Sequence, residues 1–145
     1  MHNPRNDQIL NQALIRVFRS LLQYTAECWP WASANAQAEQ AAIAEMGRRQ
    51  LSTVGNLVEL LVQRGWAIDF GNYSTGYTDH HYVGLDFLLR EIIKDEEELL
   101  AELQTWQNQL VHDDEGAKLL GHIADAERSH LVKLRDLAAM TPAAA

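Results

Sequence analysis

Residues 85–137 read LDFLLREIIKDEEELLAELQTWQNQLVHDDEGAKLLGHIADAERSHLVKLRDL. In alternating steps of four and three, the first half gives Leu85, Leu89, Ile92, Glu96, Leu99, Leu103, Trp106 and Leu110, a spacing that keeps one helical face turned to a partner. Glu96 alone is not apolar. Its neighbours Asp95, Glu97 and Glu98 project elsewhere at about 100° per residue, so the acidic run is a solvated face with one member turned inward. The second half gives Leu120, Ile123, Glu127, His130, Leu134 and Leu137, and its two adjacent exceptions spell Glu-x-x-His. Only His112-Asp113-Asp114 separates the two runs, which predicts antiparallel neighbouring helices over about 83–110 and 114–138. Glu96 lies 17 residues before Asp113, and Glu127 and His130 lie 14 and 17 after it. Folded back, the three fall on one level.

Two more helices are predicted N-terminal to this pair. Leu10, Leu14, Val17, Leu21, Tyr24 and Cys28 keep the same alternation and mark a helix over about 8–28, which Trp29-Pro30-Trp31 ends, because the residue before a proline is pushed out of the helical region. A helix over about 35–64 carries Ala44, Gly47, Leu51, Val54, Val58 and Leu61 on one seam, with Ile43, Met46, Leu57 and Leu60 beside it, and stops at Gly65. Residues 66–82 lose helical period, and at ~3.3 Å per residue such a segment can cross the length of a helical bundle. The expected fold is all-α: a single domain spanning 1–145, a four-helix up-down-down-up bundle with a long connection between its second and third helices. The tail from 140 to 145 is expected to fray.

Composition sets the class. A chain of 145 residues with 47% hydrophobic and 22% charged residues is of single-domain size and far from the signature of disorder. Twenty acidic against twelve basic side chains give a formal charge of −8, and the longest basic cluster is Arg48-Arg49, so neither nucleic acid nor an anionic membrane is an expected partner. Cys28 is the single cysteine, which excludes an intramolecular disulfide and multi-cysteine metal sites. The polar N-terminus and the lack of a run near ~20 apolar residues lead to an expectation of cytoplasmic location.

Burying a carboxylate in an apolar core costs several kcal/mol unless it is paired, hydrogen-bonded or bound to metal. Two carboxylates and an imidazole on one level therefore call for a proton, a cation or a metal ion. With its four helices, long crossover, inward Glu96 and the Glu-x-x-His of Asp125-Ala-Glu-Arg-Ser-His130, the chain resembles the ferritin-like superfamily, including bacterioferritins and rubrerythrins. The resemblance implies a di-iron or related centre with a glutamate from each of two helices and Glu-x-x-His from each of the other two. Glu96, Glu127 and His130 match the half supplied by the third and fourth helices.

The other half departs from the family pattern. The second helix has no Glu-x-x-His; the corresponding positions fall near Arg49 and Ser52, or by height near Gly47, Gln50 and Leu51, and the first helix offers Val17, Phe18 and Leu21. Glu27 lies at least ~9 Å further along the axis. A complete four-carboxylate, two-histidine centre is thus not supported; Glu27 or Glu45 reaching Glu127 would be needed to restore it, and with it di-iron oxidoreductase or iron-storage chemistry. Two completions are open. Either one Fe, Mn or Zn ion is held by Glu96, Glu127 and His130, with water or Gln50 filling the shell, or no metal is held and Arg49 supplies the positive charge while His130 hydrogen-bonds the carboxylates, leaving a non-catalytic scaffold or dimerisation module.

The remaining polar and aromatic residues receive structural assignments. His80 and His81 fall in the aperiodic crossover, and His122 on the surface or half-buried. Trp29, Trp31, Trp66, Phe70, Tyr73, Tyr77 and Tyr82 cap the bundle ends and pin the crossover, which is also the expected face of a homodimer. Cys28 is assigned to the core as a small apolar residue. No hydrolase triad, phosphate loop or dinucleotide motif is present, so no catalytic residue is assigned.

Overall fold

The computed structural model describes residues 3–29, 36–82 and 84–140, with side chains described for all of these except 79–82. The expectations for Pro30, Trp31, the side chains of His80, His81 and Tyr82, and residues 141–145 lie outside that set. The described residues form five α-helices and no strand: α1 (Pro4–Phe18), α2 (Leu21–Glu27), α3 (Gln37–Gln63), α4 (Leu85–Gln109) and α5 (Asp114–Met140), with a 3-10 stretch over Thr75–Tyr82. The fold is all-α, and no helix is long and apolar enough to cross a membrane.

The first predicted helix is corrected in two ways. It begins at Pro4 rather than near Gln8, because Asn3 caps it, its side-chain oxygen accepting from the Arg5 backbone N–H at 2.9 Å, and Pro4 fits the first helical turn, where a backbone N–H has no partner. It also breaks at Arg19-Ser20 instead of running on to Cys28. Ser20 caps a new helix by accepting from the Gln23 N–H at 3.2 Å, and Asp95 of α4 accepts from the Leu21 N–H at 2.9 Å. Arg16 holds that carboxylate at 2.9 Å, so the break is bound to α4 from both sides. Because α2 ends at Glu27, Cys28 is its exposed C-cap and not a core residue.

α3 ends where Gly65 adopts φ +72°, with Trp66 N–H donating to Leu61 and Gly65 N–H to Val62, the paired capping bonds that a left-handed glycine permits. The connection that follows lies along α1. Buried Asn11 receives hydrogen bonds from the Trp66 indole (3.0 Å) and the Asp69 N–H (2.9 Å) and donates to the Asp69 carbonyl (2.8 Å). Phe70 meets Phe18 edge-on, and Tyr73 and Tyr77 gather around Tyr24. These rings pin the connection to the bundle, as the pattern implied; Phe70 remains half-exposed.

α4 and α5 pack along their length, and the short turn between them brings α5 back beside α4. α1 and α2 both pack on α3 and on α4. The seam of α3 is rotated from the expected one: Ile43, Met46, Gln50, Thr53, Leu57 and Leu60 face inward with Gly47, Val54 and Leu61, whereas Leu51 is 45% exposed. Two apolar clusters result, one around Leu10, Leu14, Leu57, Leu99, Leu103 and Leu120, the other around Leu22, Met46, Leu89, Ile92 and Leu134. Glu96 falls between them along α4, and Glu127 and His130 fall between them along α5.

Candidate metal centre

Height and helical face together bring the three seam exceptions into one group. Glu96 lies between Ile92 and Leu99 on α4, and Glu127 and His130 occupy one turn of α5. All three are at most 1% exposed. Each offers one ligand atom such that these atoms all lie within 4.8 Å of one another. No other such group occurs among the described residues. His130 Nδ1 sits 3.1 Å from Glu127 Oε2.

The opposite wall is built of amides and a hydroxyl rather than acids. Gln50 of α3 is fully buried; its Nε2 donates to Glu96 Oε1 at 3.0 Å and to Glu127 Oε2 and Oε1 at 3.0 and 3.2 Å. Its Oε1 accepts from Gln23 Nε2 at 3.2 Å and from Ser20 Oγ at 3.4 Å. Gln23 Nε2 also donates to the Gly47 carbonyl at 2.5 Å. Glycine is required at 47 because a Cβ there would stand 2.7 Å from the Ala26 Cβ. Gln50 thus reaches the centre as foreseen, but with N–H groups rather than the oxygen that a ligand would offer.

Arg49 is not the missing cation. Its side chain is 52% exposed and pairs with Glu45 at 3.4 Å, because position 49 points away from the inward Met46–Gln50–Thr53 face. Glu45 is spent on Arg48 and Arg49 at the surface, and neither it nor the exposed Glu27 joins the buried group. Val17 and Leu21, at the matching height, are buried apolar residues. His122 is exposed beside Glu59 and Gln63 in a groove between α3 and α5, away from the centre.

Without an arginine, protons must balance the two carboxylates. Burial, reinforced by the Glu127 charge, pushes the Glu96 carboxyl well above the ordinary glutamate range. Burial acts in the same direction on Glu127 but is outweighed by hydrogen bonds from Glu96, His130 and Gln50, which hold it low. The two carboxyls are thus pushed in opposite directions, Glu96 up and Glu127 down. Glu96 Oε1 already receives the Gln50 amide, whereas Oε2 is buried without a hydrogen-bond partner. A cation at Oε2 would satisfy the one carboxylate oxygen in the centre that lacks a partner.

Sequence reasoning located all three acid and imidazole groups and missed Ser20, Gln23 and Asp95. Ser20-x-x-Gln23 has the form of a helix-capping box and was the available signal. Here the Gln23 side chain departs from that motif, turning to Gly47 and Gln50 instead of back to the cap. No protein-family model matches the chain, and no curated protein is significantly similar to it.

Proposed function

We propose that this chain is a ferritin-like four-helix bundle, up-down-down-up, that binds one divalent cation, Fe²⁺, Mn²⁺ or Zn²⁺, in its interior on Glu96, Glu127 and His130. One observation carries the reading: two carboxylates and an imidazole converge within 4.8 Å in the buried interior, with one carboxylate oxygen left unpartnered and no arginine among them. The donor set suits a borderline or hard divalent ion rather than a thiophilic one. Three protein ligands leave room for water, and a bound ion would supply the positive charge and Lewis acidity that the centre otherwise lacks. Among the described residues the half-site of α4 and α5 has no carboxylate or imidazole opposite it, so di-iron oxidase and iron-storage chemistry are not part of this proposal.

The second reading is a metal-free scaffold, favoured by the Gln50 amide, which already satisfies three of the four carboxylate oxygens. Metal content separates the two. Protein purified without chelator, or given Fe²⁺ anaerobically, should hold about one equivalent, and both Glu127→Ala and the shape-preserving Glu127→Gln should lose it while staying folded. Absence of metal from the wild type after such loading would leave the scaffold reading. Pairing of two copies through the crossover, with the half-exposed Phe70 at its centre, is part of the proposal and is tested by sedimentation of wild type against Phe70→Ser.

A further inference from the structure

The geometry points to Gln50 as the residue that sets the number of cations: its amide N–H groups stand where a second ion would bridge Glu96 and Glu127, holding the centre to one. This inference rests on the reading that the centre takes up a divalent cation, and it adds a reason for the count.

The direction in which the Gln50 amide faces is fixed by a relay that starts at the backbone. The Gly47 carbonyl can only accept, so the Gln23 amide nitrogen must face it. That same nitrogen lies 3.2 Å from Gln50 Oε1. Ser20 Oγ already accepts from the Gln23 backbone N–H, which leaves its hydroxyl proton for the same oxygen. Turning Gln50 over would set two NH₂ groups against each other. Turning Gln23 as well would press its oxygen onto the Gly47 carbonyl at 2.5 Å. One orientation survives, with two N–H bonds aimed at the carboxylates.

Those bonds occupy the oxygens that a pair of ions would share. A bridging carboxylate gives one oxygen to each metal; here Glu96 Oε1 and both oxygens of Glu127 accept from Gln50, and Glu96 Oε2 alone is without a partner. A second cation placed on the α3 side would meet the positive end of the amide dipole. The break between α1 and α2 maintains this arrangement: Asp95 caps α2, and Ser20 and Gln23, at the start of that helix, grip the amide oxygen.

The test is the stoichiometry of Mn²⁺ binding to metal-stripped full-length protein, read from the free-ion electron paramagnetic resonance signal, with folding checked by circular dichroism. Wild type should bind one Mn²⁺ per chain. Gln50→Glu replaces the donors with a third carboxylate of the same shape and should bind two, with the broadened spectrum of a coupled pair. Gln50→Ala removes the donors without adding charge, and should also admit a second ion, at least tenfold more weakly; it carries the test if Gln50→Glu does not fold. A count of one in whichever variant folds, or two in the wild type, overturns the role of Gln50 while leaving metal binding intact. A count of zero in the wild type overturns both.

Discussion

Two buried clusters of charge can be compared within this bundle. At the end formed by the α4–α5 turn, the Arg64 side chain is 2% exposed and lies 3.0 Å from Asp7 and 2.8 Å from both oxygens of Asp113. Asp113 also accepts from the Gly116 N–H and so caps α5. Three helices are fastened there by a cation that the chain itself provides, and a planar guanidinium fits a carboxylate at two points. Midway along the bundle, Glu96 and Glu127 are buried more deeply, with an amide and an imidazole but no arginine. The clasp carries its own fixed positive charge; the centre has no arginine, and the exchangeable cation proposed for it would take that role.

The largest test of that contrast falls on the fixed cluster. Arg64→Met takes the guanidinium from between the Asp7 and Asp113 carboxylates and should cost about 3–5 kcal/mol, lowering the thermal midpoint by roughly 10 °C. A loss below about 1 kcal/mol would show that the clasp is not under strain without its cation, and the contrast would fail. A smaller effect, and one that depends on pH, is expected at the centre. Above the ordinary glutamate range, near pH 4.3, Glu96 loses its proton in the unfolded chain but keeps it in the folded one, so metal-free protein loses stability as pH rises until the folded acid also ionises. Glu127 has the opposite sign: it stabilises above that range and loses this contribution as pH falls. Glu96→Gln donates to Glu127 without needing a proton, so its stability relative to wild type should increase from about pH 5 upward. A pH-independent difference in urea unfolding would contradict the proton assignment. The smallest effect belongs to the surface, where Arg48→Ala removes an exposed, solvent-screened pair with Glu45 and should leave the urea unfolding midpoint unchanged.

The centre was largely legible in the sequence because it depends on two strong regularities. Heptad spacing isolates Glu96, Glu127 and His130 as inward exceptions, and the short turn between α4 and α5 fixes their relative height. The opposite wall was less legible. Gln50 appeared by height alone, since the apolar pattern of α3 admits two neighbouring seams, and Leu51 suggested the one that proved exposed. The break at Ser20 was hidden because Val17, Leu21 and Tyr24 keep helical spacing across it; the capping that creates it comes partly from Asp95, 74 residues away along the chain. Arg49 neighbours Gln50 in the sequence, but one position along a helix is enough to turn it to solvent.

The most direct test of an exchangeable charge at the centre is anomalous diffraction from crystals grown with Mn²⁺, with data collected at the manganese edge. A single interior peak per chain is expected, bonded to Glu96, Glu127 and His130, with Gln50 Nε2 still donating to the carboxylates. An interior without a peak at saturating Mn²⁺, with Glu96 and Glu127 still in hydrogen-bonded contact, would contradict it.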